Sequence, residues 1–244
     1  MRIPRVYLPE AEANGGELPL PEEASRYLVK VLRLEPGDAV TVFNGAGGEM
    51  QAELAGDAKR PRVRLGALRA VERESPLGIV LWAGLSKGEK FDWVVQKATE
   101  LGAAEIRPVQ TARSVRRLEG AKAAKNRERW QRIAASACEQ CGRNRIPEVV
   151  EPTALERALA SGVDHGLVLD ETGDPPAGGP PGNGRLHLLV GPEGGLNENE
   201  LTAAVDAGFV RTALGPRTLR TETAAVAALA WAQTVWGDFP AGGG

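Results

Sequence analysis

From residue 77 onward the chain alternates short apolar runs with segments whose apolar residues return every three or four positions. This is the pattern of strands and helices laid down in turn around a parallel sheet. Runs at 79–85, 106–109, 166–170, 186–190 and 210–214 have strand length. Phe91, Val94, Val95, Ala98 and Leu101 share one helical face that ends at Gly102, with Ser86 and Glu89 spaced as a capping box. Leu201, Ala204, Val205 and Phe209 mark another helix, opened by Asn197 with Glu200 three residues on and stopped by Gly208. An Ala-rich helix opens at Thr221 or Thr223 and runs to about Trp236. Residues 172–185, rich in Gly and Pro, predict a loop with no fold of its own.

The first 70 residues follow another pattern. Short strands are predicted at 40–43, 50–54 and 63–68, with Asn44-Gly45 as a hairpin signal between the first two. A helix over 22–34 places Leu28, Val31 and Leu32 on one face. These elements suit a small β-barrel, and the charged, Pro-ended stretch 71–76 suits a linker. The expected domains are therefore 1–72 and 73–244.

Two apolar runs, 186–190 and 210–214, each end in a Gly-Pro step and lead into a helix. Ligands of α/β proteins bind where strands end and helices begin, so this doublet is the candidate site. Glycines at 191, 194 and 195 are expected to take positive φ or to bring bare backbone close to a ligand. Glu193 within the loop and the lack of a Gly-Lys-Ser/Thr ending argue against a nucleoside triphosphate, and a neutral or cationic ligand suits the loop better. A purely structural strand-to-helix turn fits the first loop equally well. No Gly-x-Gly-x-x-Gly follows an early strand, which disfavours a Rossmann-type cofactor site.

Composition adds little until charge is resolved along the chain. The 244 residues carry a net charge of −2, yet residues 107–145 hold eleven Lys or Arg against three acids. Such a local field attracts a polyanion. Part of it is the solvated face of a helix near 122–132, whereas Arg113, Arg116, Arg117, Arg143 and Arg145 lie outside that periodicity. Arg5 and Arg33 complete the set expected to meet RNA. Cys138 and Cys141 are the only cysteines, and His165 and His187 stand alone, so zinc lacks ligands and no metal is expected. The CxxC pair at the end of a basic helix reads as two small packed residues, with a redox site as the alternative. No apolar stretch spans a membrane and no signal-peptide core opens the chain, so a cytoplasmic protein is expected.

Gly191-Pro-Glu-Gly-Gly195 together with Leu219-Arg-Thr-Glu-Thr-Ala224 resembles the cofactor-binding half of the SPOUT methyltransferases. More specifically it resembles the bacterial RsmE family, which methylates N3 of a uridine in 16S ribosomal RNA. Tyr27-Leu-Val-Lys-Val-Leu-Arg-Leu34, the stretch from Lys87 to Gly102, Arg113-Ser114 and Glu139-Gln-Cys-Gly-Arg143 are similar to that family's signatures and occur in the same order.

The resemblance implies an α/β parallel sheet with a C-terminal trefoil knot, preceded by a PUA-like barrel that binds RNA. It also implies S-adenosylmethionine as cofactor, 16S rRNA or the 30S subunit as partner, and a homodimer. The last of these agrees with Trp231, Val235, Trp236 and Phe239 near the chain end. The cofactor set expected is Leu169, Val190, Gly191, Glu193, Gly194, Leu214, Gly215, Leu219 and Thr221. Arg220 is the candidate for stabilising a uracil anion and Glu222 for removing its proton, against the plainer readings of a surface arginine and a helix N-terminal acid. A transfer-RNA methyltransferase of the same fold and a non-catalytic RNA-binding assembly factor are the alternatives.

Overall fold

A computed structural model describes residues 3–12, 15–57, 59–115 and 117–239. Among the described residues no helix is long and apolar enough to cross a membrane. The chain divides into two compact units. One joins Met1–Glu74 to Cys138–Ile146, and the other joins Ser75–Ala137 to Pro147–Gly244.

The first unit is built on a five-stranded sheet. Its strands are β1 (Arg5–Tyr7), β2 (Glu17–Pro19), β3 (Ala39–Phe43), β4 (Glu49–Asp57) and β5 (Arg60–Arg69), in the order β1-β3-β4-β5-β2. Only the β1–β3 pair is parallel. Alternating residues such as Val40, Val42, Met50, Ala52 and Leu54 turn inward to one apolar core. The β3–β4 hairpin turns where Asn44-Gly45 predicts it: Asn44 Oδ1 accepts from the Ala46 amide at 3.0 Å, and Gly45 sits at φ +83°.

The helix expected over 22–34 is shorter and of another kind. Four residues, α1 (Glu22–Ser25), lead into a π-helical stretch Arg26–Val31, where the Leu32 amide reaches back five residues to Tyr27 at 2.9 Å. The wider turn shifts the phase of the face, and Arg33 then breaks it at φ +57°. Leu28 stays buried, while Val31 is 62% and Leu32 38% exposed, contrary to the face the spacing predicts.

Polar contacts stitch residues 138–146 into this unit. Arg5 donates to Glu49 Oε2 at 2.6 Å and to Asn144 Oδ1 at 2.5 Å, and Arg73 reaches the same Glu49 oxygen at 3.2 Å. Arg143 donates from Nε to Glu74 at 3.0 Å, and Asn144 Nδ2 donates to the Val71 carbonyl at 2.8 Å. Burial pushes the Glu49 carboxyl up, but the bonds and charges of Arg5 and Arg73 outweigh it and hold it below its ordinary value. Arg5 and Arg143 are thus buried and spent inside the protein, which corrects the expectation that they meet RNA. The Cys138 thiol packs nearby, donating to the Arg145 carbonyl at 3.5 Å, with its pKa raised.

In the second unit the strands are β6 (Gly78–Gly84), β7 (Ala103–Gln110), β8 (Glu148–Val149), β9 (Thr153–Ala154), β10 (Gly166–Asp174), β11 (Arg185–Val190) and β12 (Phe209–Thr212). All pairs are parallel, in the order β12-β10-β11-β6-β7-β8, with β9 also on β7. The helices are α2 (Lys90–Glu100), α3 (Gly120–Cys141), α4 (Leu155–Leu159), α5 (Glu198–Asp206) and α6 (Thr221–Trp236). β6 is buried along nearly its whole length, as a strand covered on both faces must be. At its centre Trp82 is fully buried and donates from Nε1 to His187 Nδ1 at 3.0 Å. Burial, helped by Arg185 and Arg107, pushes His187 down to about 4, so the imidazole is neutral and accepts this bond.

Two local expectations differ from the structure. Helix α2 begins at Lys90 with Glu89 as its N-cap and no side-chain cap, so Glu89 is not the third helical residue that a box with Ser86 requires, and the buried Ser86 hydroxyl makes no hydrogen bond. Strand β10 runs on to Asp174, into the stretch read as loop, by bulging between Leu169 and Asp174, both of which pair with Thr212. Around α5 the capping box is present: Asn197 Oδ1 accepts from the Glu200 amide and Glu200 Oε2 from the Asn197 amide, both at 2.9 Å.

The buried Arg5–Glu49 pair yields a direct test. Arg5→Ala leaves the Glu49 carboxylate and the Asn144 side chain short of a partner in a closed site, and should lower stability to urea by about 3 kcal/mol. A change under about 0.5 kcal/mol, the range of ordinary surface substitutions, would show that the network does not hold this unit together.

Candidate active site

The carboxyl ends of β10, β11 and β12 open onto one cavity of about 630 Å³. Its walls are the β10 bulge, the glycine loop after β11, the loop after β12 and the first turn of α6. All nine residues expected to hold a cofactor line it: Leu169, Val190, Gly191, Glu193, Gly194, Leu214, Gly215, Leu219 and Thr221. Arg220 and Glu222 line it as well, as do Lys90, Arg113, Asp170, Glu171 and Arg217, which the sequence did not assign to the pocket.

Each wall is fixed by contacts that can be traced. Thr218 Oγ1 donates to Glu171 Oε2 at 2.8 Å, which ties the loop after β12 to the β10 bulge. Arg211 donates from Nε to Asp170 at 2.6 Å and reaches Glu198 at 3.2 Å. Burial raises the Asp170 pKa, but its bonds from Thr172 and Arg211 prevail and leave it lowered. Glu193 accepts from Lys90 Nζ at 3.2 Å and from the Lys87 amide at 3.4 Å. These bonds, with its own amide, overcome the effect of burial and hold its pKa down.

The glycines serve different ends. Gly195 and Gly215 take φ of +69° and +84°, whereas Gly191 and Gly194 do not lie in that region. At Gly191 a Cβ would stand 3.1 Å from the Leu196 amide, so the tight fold of the loop itself excludes a side chain.

Two side chains are poised without partners. One carboxylate oxygen of Glu222, Oε2, is buried and has no hydrogen bond, an arrangement that is costly unless something else enters the cavity. The Arg220 side chain, at the N-cap position of α6, is exposed and makes no hydrogen bond or ion pair among the described residues. The same holds for Arg217, three residues earlier on the rim. The Gly-Pro-Arg step itself could have flagged Arg217, since it places a cation on the loop already identified as the site.

The arginines assigned to RNA part ways. Arg113 turns onto the glycine loop, donating to the Gly194 carbonyl at 3.0 Å and the Leu196 carbonyl at 3.3 Å, rather than standing free for a phosphate. Arg117 is exposed in the loop before α3. In the first unit Arg33 is exposed, and Arg145 is exposed but donates to Glu72 at 2.8 Å. Arg116 lies outside the described residues.

The arrangement suits a small organic ligand with both apolar and charged parts. Leu169, Val190, Leu214 and Leu219 supply apolar walls, and the polar lining carries both signs: Asp170, Glu171, Glu193 and Glu222 against Lys90, Arg113, Arg217 and Arg220. The volume is that of a small-molecule site.

Comparison with known proteins places this site in a family. Residues 73–233 match the RNA methyltransferase domain, and residues 20–65 match the RNA methyltransferase PUA domain. Ribosomal RNA small subunit methyltransferase E of Bacillus subtilis is 36% identical over 219 residues, covering 85% of this chain and 86% of its own. The protein of the same name from Buchnera aphidicola is 30% identical over 98% of this chain and 96% of its own. The solved structure of ribosomal RNA small subunit methyltransferase E from Neisseria gonorrhoeae, bound to S-adenosyl methionine, is 37% identical, covers 98% of this chain and 100% of its own, and superposes with a TM-score of 0.88. With its two domain matches, its relatives along nearly the whole length and its three-loop pocket, the chain belongs to the ribosomal RNA small subunit methyltransferase E family.

Proposed function

We propose that this protein is an S-adenosylmethionine-dependent methyltransferase that modifies N3 of a uridine in 16S ribosomal RNA, in the 30S subunit. The observation that carries the reading is the pairing of a partnerless buried carboxylate oxygen on Glu222 with a partnerless exposed guanidinium on Arg220, two residues apart on one pocket wall. Family membership supplies the reaction class.

Bound S-adenosylmethionine supplies an electrophilic methyl group. The backbone around Gly191, Gly194, Leu214 and Leu219 and the apolar side chains of Leu169 and Val190 bind the donor. Glu193, Gly215 and Thr221 complete that shell. The proton on uracil N3 passes to the Glu222 carboxylate, and Arg220 meets the negative charge then shared between N3 and the two ring oxygens. With both partners held in line, positioning contributes most of the acceleration.

In place of the expected division at 72, the unit that joins Met1–Glu74 to Cys138–Ile146 acts as the RNA-binding barrel and the other unit as the methyltransferase domain, with Arg33, Arg116, Arg117 and Arg145 as phosphate contacts. The trefoil knot that the family resemblance implies is part of this reading, and the sheet order β12-β10-β11 is compatible with it. The protein works in the cytoplasm, where the ribosome is. It does so as a homodimer, a state supported by the end of α6. There Trp231 and Trp236 pack edge to face at 4.8 Å, and Val235 and Phe239 are 51% and 39% exposed.

Incubating purified 30S subunits lacking the modification with labelled donor, then digesting to nucleosides, should give labelled 3-methyluridine. A ribose-methylated product, or label entering transfer RNA alone, overturns the assignment, and no label with no donor binding points to an RNA-binding protein without catalysis. Arg220→Ala should lower turnover of bound RNA by about 100-fold, the scale of one oxyanion-stabilising donor, and leave the salt dependence of RNA binding nearly unchanged. Full recovery of rate at saturating RNA would refute its role at the base. Sedimentation at tens of micromolar, roughly, should show a species of twice the 25.8 kDa chain mass. A lone monomer there counts against the dimer.

A further inference from the structure

The segment that carries Arg113 is a closed loop. At its base Gln110 uses both ends of its amide on Leu118, donating to the carbonyl at 3.0 Å and accepting from the amide at 2.9 Å. Within it Ser114 Oγ accepts from the Thr111 amide at 3.0 Å and lies 3.1 Å from the Thr111 hydroxyl. These bonds brace the loop at its base and at the Thr111–Ser114 turn.

Two contacts fasten this piece to the pocket. The Ala112 amide donates to Glu200 Oε1 at 2.7 Å, while the other Glu200 oxygen closes the capping box at Asn197. Arg113 Nη1 donates to the carbonyls of Gly194 and Leu196. Gly194 gives independent support. A Cβ there would stand 3.0 Å from Arg113 Cβ, so the bare backbone at 194 is what lets Arg113 lie against the glycine loop.

We propose, resting on the methyltransferase reading above, that Arg113 is a positioning residue for the methyl donor. With Glu200 it latches the 110–118 loop onto the glycine loop, so that donor and RNA bind with positive coupling. The guanidinium fixes two carbonyls of the loop and hence the course of the backbone through Gly194, Gly195 and Leu196, all of which line the cavity. Arg117 sits exposed on the same closed loop. A phosphate held there favours the latched arrangement, and by linkage the donor tightens RNA by the factor with which RNA tightens the donor.

The test uses the full chain and measures S-adenosylmethionine affinity by calorimetry, with and without 30S subunits, alongside steady-state kinetics and melting temperature. Arg113→Ala should raise the donor Kd about tenfold in the absence of RNA, the scale of a lost charge-assisted hydrogen bond, and abolish the tightening by RNA. KM for the donor should rise with it, while kcat at saturating donor stays within about twofold. Arg113→Lys keeps the charge without the fork and should recover only part of the affinity. Glu200→Gln preserves the capping box but leaves one oxygen for two amides, and should shift donor affinity in the same direction by less.

If Arg113→Ala binds donor as the wild type does while losing about one unit of salt slope for RNA, Arg113 is a phosphate contact and the latch is wrong. Full rescue by Arg113→Lys also refutes it. A wild-type protein that binds no donor would defeat the methyltransferase reading itself, an outcome separate from a donor-binding wild type with an indifferent Arg113→Ala variant.

Discussion

Burial of both faces of the parallel sheet governs the second unit, because strands with no wet face have only their ends at which to present polar groups. β6 and the carboxyl half of β11 are enclosed, and even the hydrogen-bonding tip of Trp82 finds its acceptor within the sheet, on the half-buried His187 of β11. Parallel strands point their carboxyl ends the same way, so the loops after β10, β11 and β12 converge. Everything chemical in the pocket depends on that convergence: the bulge that carries Asp170 and Glu171, the glycine loop, and the turn that sets Arg220 and Glu222 at the head of α6.

How much of this was legible in the sequence depends on the range of the interaction involved. Strands β6, β7, β10, β11 and β12, the α5 capping box and the α6 start are written in neighbours a few residues apart, whereas the two-residue strands β8 and β9 are too short to leave a pattern; the pocket residues were legible because two Gly-Pro steps end apolar runs. The π-helical stretch was not. Nothing in the spacing of Leu28, Val31 and Leu32 distinguishes a turn of four residues from one of five, and the choice rests on packing against the first sheet. The Ser86–Glu89 pair shows the opposite error, a correct motif spacing placed one turn too early: the Lys87 amide turns to Glu193 and the helix opens only at Lys90.

The arginines make the same point about partners. Counted along the chain, Arg5, Arg113, Arg143 and Arg145 are equivalent positive charges, yet each has a different neighbour waiting: Glu49, two loop carbonyls, Glu74 and Glu72. A buried guanidinium is tolerated only when its donors are satisfied, so the acids and carbonyls around it decide its role. Those partners lie tens of residues away or more, where periodicity is silent. Local charge density singles out a stretch of chain, and not which of its side chains stay free to meet an anion.

The membership of residues 138–146 in the first unit has a consequence for biosynthesis. Arg5 finds its partners on Asn144 and Arg143 across 139 and 138 positions of sequence. As the chain leaves the ribosome, the first unit cannot close its polar network when residue 74 emerges; it waits until the end of α3 has also been made. Ordering it early forfeits those bonds, and ordering it late means closing a long loop at an entropic cost that grows only slowly with length. The protein that acts on ribosomal RNA therefore completes its own amino-terminal unit only after more than half of the chain has been translated, and a fragment cut at the apparent linker would lack part of the unit's interior.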